Sequence, residues 1–381
     1  MNKKKLYSPS NRSSIDKFLV MDILSKSTEI ETKGKKVFHL ELGEPLKKTP
    51  KLVLAEAQKY ILMKNPGYTP SQGIIELREA ISDYYKIKKI SVNPKNIFIT
   101  VGSSSAFLLT FLVSFDPGDT VLLFKPCYPA YRNILKSLNI KVIEVNQNNI
   151  EGIKKFKNSI NGIILSSPNN PTGKIFSYDE IKYIYDFCIQ NKITLISDEI
   201  YHGIEFSKKT ISLSTFGKNS IIINSFSKYF CMPGWRLGWV IIPDSLCEKF
   251  LRLAQNFFIS SGSVAQYAAI KSFECLSELD KNVKIYKKNR DLAFNKLKNT
   301  AWNEFYKTEG AFYIYLNLSK FKENSQHTVK KILDETSIAL TSGFDFDKQK
   351  GKDFIRLSFS CEHNLFDEAI NNLSKWIKKN Y

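Results

Sequence analysis

One lysine in this 381-residue chain stands where an amine can act as a nucleophile. Lys228 closes the run Ser225-Phe226-Ser227-Lys228, and Arg236 follows in Gly234-Trp235-Arg236-Leu237-Gly238. Hydroxyls and a guanidinium grip phosphate, and an amine beside them can condense with a carbonyl to give an imine. A second set lies upstream: Asp198-Glu199-Ile200-Tyr201 offers a carboxylate and a phenol, and Asn169-Asn170-Pro171-Thr172-Gly173 places an amide in a turn. Taken alone, Lys228 reads as a solvated loop residue, because the chain carries 56 Lys+Arg. The other sets change that reading, since each follows an apolar run of strand length.

Those runs are what must position the chemistry. Residues 220–224 hold three consecutive isoleucines, 193–198 read ITLISD and 162–166 read GIILS, the continuous apolar stretches expected of strands buried on both faces. Ligands of open α/β sheets sit at the carboxyl ends of such strands. Further strands at 96–101, 120–126 and 141–145 alternate with helices at 106–115, 130–138, 150–157 and 177–192, which implies a mostly parallel sheet covered by helices on both faces. Ser177-x-x-Glu180 opens the last of these helices as a capping box. Gly102-Ser103-Ser104-Ser105 leads into the 106–115 helix, and free N–H groups with hydroxyls at a positive helix end suit an anion. From residue 243 the pattern turns helical. A long polar helix near 278–299 leads to a smaller α+β part with strands at 311–318 and 354–360 and helices at 325–336 and 365–378. At the amino end a helix over 12–30 precedes a strand at 37–42 and the turn Gly43-Glu44-Pro45, then helices at 50–64 and 73–88 flank the loop Gly67-Tyr68-Thr69-Pro70.

The Asn-Pro-Thr-Gly turn, the D-x-x-Y strand end and the S-x-S-K lysine followed by GWRxG stand in an order and spacing that resemble the class I/II pyridoxal 5′-phosphate-dependent aminotransferases, the aspartate aminotransferase family of fold type I. The resemblance runs from about Arg12 to the carboxyl end. It implies an α/β large domain at 48–282, a smaller α+β domain at 283–381 and an amino-terminal segment at 1–47 that joins the small domain. It also implies roles. Lys228 carries pyridoxal 5′-phosphate and shuttles a proton, Asp198 keeps the pyridine nitrogen protonated, and Tyr201 and Asn170 bond the phenolic oxygen. Tyr128, in Cys127-Tyr128-Pro129-Ala130-Tyr131, stacks on the ring. Gly102, Ser103, Ser104, Ser225, Ser227 and Arg236 hold the phosphate, and Tyr68 reaches it from the other subunit of a homodimer with shared sites. Arg356 in FIRLSF, with Asn170 and the N–H of Gly43, anchors the α-carboxylate of an amino acid or 2-oxo acid. Two departures stand out: Leu46-Lys47-Lys48 replace the acidic and aromatic residues usual after Gly-Glu-Pro, and Ser342 precedes Gly343-Phe344-Asp345-Phe346 where proline is usual.

The implied reaction is transamination. A carbon–sulfur β-lyase on the same scaffold shares the lysine and aspartate, and a non-enzymatic sensor domain of a regulator would need a DNA-binding module that the residues before Arg12 are too few to form. No residue is legible as a partner for a second carboxylate, so aspartate, aromatic and alanine donors stay open.

Composition bounds the rest. With 43% hydrophobic residues the chain can bury a large core, and no apolar run is long enough to span a bilayer. The lysine-rich start lacks the apolar stretch of a secretion signal, which points to the cytoplasm. The net charge of +19 is spread along the chain as a solvated surface, not gathered as a nucleic-acid patch, and no membrane partner is expected. Six scattered cysteines and four scattered histidines indicate neither a disulfide framework nor a metal site. Only seven arginines occur, so Arg236 and Arg356, both inside motifs, stand where a planar fork is needed.

Overall fold

Three isoleucines in a row fit a strand only where both of its faces are covered. In the computed structural model, which describes residues 7–63 and 66–381, Ile221 and Ile223 pack on one side with Val121, Ile164 and Ile196, and Ile222 packs on the other with Leu122, Ile163 and Leu195. Each such side chain taken from water contributes about 1.5–3 kcal/mol. The first six residues of the lysine-rich tail and Lys64, the expected end of a helix, lie outside the described residues.

The chain begins with α1 (Leu19–Thr32), β1 (Phe38–His39), α2 (Lys51–Met63) and α3 (Ile75–Ile87). A seven-stranded sheet follows, from β2 (Ile97–Thr100), β3 (Thr120–Lys125), β4 (Lys141–Asn146), β5 (Gly162–Ser166), β6 (Thr194–Asp198), β7 (Ile221–Ser225) and β8 (Gly238–Ile241), interleaved with α4 (Gly102–Ser114), α5 (Pro129–Ser137) and α6 (Tyr178–Gln190). Its order is β2-β8-β7-β6-β5-β3-β4, and only β8 runs against its neighbours. The carboxyl ends of β2, β3, β5, β6 and β7 therefore share one edge, and the residues just before antiparallel β8 arrive there too. Helices α7 (Asp244–Phe258), α8 (Ser263–Ile270) and α9 (Leu276–Leu297) lead to a second sheet, in which β9 (Tyr313–Asn317), β11 (Thr341–Ser342) and β12 (Phe354–Ser358) pair antiparallel. Helices α10 (Ser325–Thr336) and α11 (His363–Asn380) and the strand β10 (Ile338–Ala339) complete this part.

Several expected elements change. The strand expected at 37–42 shrinks to β1, paired in parallel with β10. The carbonyls beyond it are turned to other work: that of Glu41 accepts from Arg356 and Thr341, and that of Gly43 accepts from Lys228. The helix expected at 150–157 is a 3-10 segment, Ile150–Phe156, tightened where the Asn149 side chain accepts from the Gly152 N–H. The helix expected from residue 106 starts at Gly102, which places the serine run inside its first turn. The helix expected at 12–30 begins only at Leu19. Strands β8, β10 and β11 were not marked in the sequence pattern at all.

Candidate active site

Lys228 is held by its flanks. Phe226 and Phe230 are fully buried, 5.1 Å apart by ring centroids, and Phe226 also packs on Trp239 of β8. The backbone closes on itself, with the Phe226 N–H donating to Leu237, the Met232 N–H to Phe226 and the Cys231 N–H to Lys228. Between these anchors the Lys228 ammonium reaches across to donate to the Gly43 carbonyl at 2.6 Å. Burial, reinforced by the charges of Arg356 and Arg236 and opposed by Glu44 and Asp198, lowers its pKa to about 8.

Asp198, at the end of β6, is buried; its Oδ1 accepts from the Ile200 N–H and its Oδ2 from the Tyr131 hydroxyl. Burial pushes its pKa up to about 6, and both hydrogen bonds and the Lys228 charge oppose that rise. The Tyr201 and Tyr313 hydroxyls share a hydrogen bond of 2.8 Å. Arg356, at the centre of β12, is buried: one Nη donates to Asn170 Oδ1 at 3.0 Å and the other to the Glu41 carbonyl and Thr341 Oγ1. The ring of Tyr313 lies 4.3 Å and that of Phe346 4.8 Å from the guanidinium, while the buried Nε has no hydrogen-bond partner among the described residues.

The start of α4 and Arg236 lie beside them. Gly102 opens α4 at φ +71°, and a Cβ there would meet the guanidinium of Arg236, so only glycine lets that cation lie on the helix start. Arg236 is itself left-handed, at φ 51°, with Nη1 donating to the Pro233 carbonyl. Ser225 and Ser227 join by their hydroxyls at 2.9 Å. A single cleft of about 700 Å³ collects Lys228, Asp198, Tyr201, Asn170, Arg356, Arg236, Ser103, Ser104, Ser225, Ser227, Tyr128 and Gly43.

Sequence reasoning thus located residues that the fold does bring together, with Gly102 set against Arg236 but not itself lining the cleft, and with Tyr68 84% exposed and outside it. It assigned Gly43 through its N–H toward substrate; the carbonyl of the same residue accepts from Lys228. It gave no role to Tyr131 or Tyr313. Tyr131 sits one helical turn after Tyr128, a spacing that marks a shared face; Tyr313 left no local signal, because its partners come from β6 and β12.

A buried amine, a buried acid and a forked cation thus line one cleft, a set of groups suited to amino or oxo acids and a carbonyl-bearing cofactor. The chain belongs to the family Aminotransferase class I and II, whose sequence model it matches over residues 35–373. It is 38% identical to the (5-formylfuran-3-yl)methyl phosphate transaminase of Methanocaldococcus jannaschii, with 96% of this chain and 98% of that protein covered. It is 35% identical to the valine–pyruvate aminotransferase of Mycobacterium tuberculosis, with 96% and 97% covered. A crystal structure of an aminotransferase from Mycobacterium tuberculosis superposes with a TM-score of 0.94 at 34% identity, over 98% of this chain and 100% of that one. The protein is an aminotransferase of fold type I that uses pyridoxal 5′-phosphate and acts on amino acids and 2-oxo acids.

Proposed function

We propose that Lys228 carries the cofactor and moves the reacting proton, while Asp198, Tyr201, Asn170 and Arg356 fix ring and substrate around it. The observation behind this reading is the convergence of Lys228, Asp198 and Arg356 from β7, β6 and β12 on one cleft. The groups present fit the cofactor: an arginine stacked on a helix start suits its phosphate, and a buried acid suits its ring nitrogen. When bound, pyridoxal 5′-phosphate supplies the aldehyde that takes up the amino group and the ring that accepts the electron pair left at Cα.

Lys228, released from Gly43, takes the proton from the substrate Cα and returns it at the carbon that receives the amino group. A pKa of about 8 leaves part of its amine unprotonated near neutrality, as a general base requires. Asp198 holds the ring nitrogen's proton, and that opposite charge favours its ionised form, which burial alone disfavours. Tyr201 and the amide N–H of Asn170, whose Oδ1 accepts from Arg356, donate to the phenolic oxygen. Tyr128 covers the ring, and the α4 start, Ser103, Ser104, Ser225, Ser227 and Arg236 bind phosphate. Arg356 offers its planar guanidinium to the α-carboxylate as a two-pronged clamp, flanked by the rings of Tyr313 and Phe346; Gly43 and Asn170 border the same cleft.

The functional unit in this reading is a homodimer in which Tyr68 serves the partner's phosphate. Its exposed ring, and the exposed Leu62 and Met63 at the end of α2, support that. We place the enzyme in the cytoplasm, in keeping with its six free cysteines; among the described residues no helix is long and apolar enough to cross a membrane. The division at 47 and 282 assigns the large sheet to one domain and the β9-β12-β11 sheet to the other. The test is a spectral half-reaction: an amino acid should convert the bound cofactor to its amine form and a 2-oxo acid should reverse it, and Lys228→Ala should abolish both. Half-reaction rates in that variant within tenfold of wild type would overturn the assignment.

A further inference from the structure

We infer that this site prefers amino acids with uncharged apolar side chains, aliphatic or aromatic, over dicarboxylic ones, and that Met21 and Leu24 of α1 set the preference. This rests on Arg356 being the α-carboxylate anchor. The cleft has a second character besides its polar floor: Phe18, Met21, Leu24, Leu42 and Tyr128 line it as well. Helix α1 buries Val20 and Ile23, yet leaves Met21 49% exposed and Leu24 partly so. An apolar side chain laid on that surface removes it from water at about 25 cal/mol per Å². Methionine's unbranched thioether adapts to more than one shape, which suits a range of apolar donors.

The charges agree with the surface. Among the described residues that line the cleft, the cations are Lys228, Arg236 and Arg356. With the amine given to the cofactor, Arg236 to phosphate and Arg356 to the α-carboxylate, none of these three cations remains for a second carboxylate. A carboxylate laid on the apolar wall of α1 meets no cation of that helix face, and an unpaired charge there is strongly unfavourable. Glu44, which also lines the cleft, would repel it further.

The wall is also fixed relative to the anchor. The N–H groups of Leu19 and Val20 donate to the two carboxylate oxygens of Asp345, each at 3.0 Å, capping α1. Asp345 is followed directly by Phe346, the ring 4.8 Å from Arg356. One short segment therefore holds both the start of the apolar helix and a face of the carboxylate clamp.

The experiment uses the cofactor-loaded enzyme and the half-reactions of L-leucine, L-phenylalanine, L-aspartate, L-glutamate and L-lysine, with calorimetric titration of 4-methylpentanoate and butanedioate as a readout that needs no turnover. Leucine or phenylalanine should exceed aspartate and glutamate by at least about tenfold in kcat/KM, the scale a hydrophobic pocket can discriminate, and 4-methylpentanoate should bind more tightly than butanedioate. Met21→Arg, at a half-exposed position that tolerates charge, should narrow the gap by about tenfold through a gain for aspartate; Leu24→Ala should lower kcat/KM for leucine more than for alanine. Aspartate, glutamate or lysine equal to leucine in the wild type would overturn the inference, as would an unchanged ratio in both variants. If no amino acid reacts, the transaminase reading falls instead, and the titration still decides between the two side-chain classes.

Discussion

Replacing Asp198 by Asn should stabilise the cofactor-free protein while disabling it. The side chain is buried, and its pKa rises from 3.8 to about 6 because burial outweighs the hydrogen bonds from Tyr131 and Ile200. Folded protein then keeps the proton up to about pH 6, whereas unfolded chain releases it near 3.8. Between those values the folded state binds more protons, so the stability this group contributes falls as pH rises and is lost above about pH 6. The whole rise corresponds to about 3 kcal/mol. Asn resembles the neutral carboxyl in shape and carries no titrating proton. Equilibrium urea unfolding at fixed protein concentration should show the variant gaining on the wild type by about 1.5 kcal/mol from pH 5 to pH 7.5. Saturating cofactor should narrow that gap, because the ring nitrogen's proton gives the carboxylate its partner, and the single-turnover half-reaction of the variant should be slowed more than tenfold. A gap that is flat or shrinks with rising pH would refute the burial argument. A half-reaction within about tenfold of wild type, a barrier change below about 1.4 kcal/mol, would refute the ring-nitrogen role.

Arg356→Lys should weaken amino acids and 2-oxo acids by more than about tenfold, since one ammonium cannot reproduce a two-pronged guanidinium, and should leave decarboxylated amines unaffected; equal losses in spectral titrations of an amino acid and its amine would make Arg356 structural. Gly43→Ala would put a Cβ on the Tyr313 hydroxyl and strain its bond to Tyr201, so its urea midpoint should fall and partly recover in Gly43→Ala/Tyr313→Phe; no recovery would place the strain elsewhere. Refolding Lys228→Ala together with Tyr68→Ala should restore activity per intact Lys228 above that of Tyr68→Ala alone, because one site of a mixed dimer regains both residues. No gain despite subunit exchange would confine Tyr68 to its own chain.

The legible parts of the site were those written within a few residues of a buried strand end. Lys228, Asp198 and Asn170 follow runs whose apolar continuity already marks parallel strands, so motif and sheet edge coincide in sequence. Arg356 was legible for another reason, as a rare arginine inside an apolar strand. What stayed hidden is tertiary. Tyr313 matters because β9 lies beside β12, and its hydroxyl meets Tyr201 across 112 positions of chain. The apolar wall of α1 is placed by Asp345, which is 326 positions from Leu19. Residues 37–42 read as strand by pattern, yet the carbonyls of Glu41 and Gly43 serve Arg356 and Lys228 instead of a ladder. Local pattern records propensity, and here the cations of the site outcompete it.

The central claim is that the Lys228 amine is the group joined to the cofactor. Borohydride reduction of the loaded protein, followed by proteolysis and mass spectrometry, tests it most directly. The expected result is one pyridoxyl group per chain on the peptide that contains Lys228, absent from Lys228→Ala. A label on any other of the 49 lysines, or stoichiometric labelling that survives in Lys228→Ala, would contradict it.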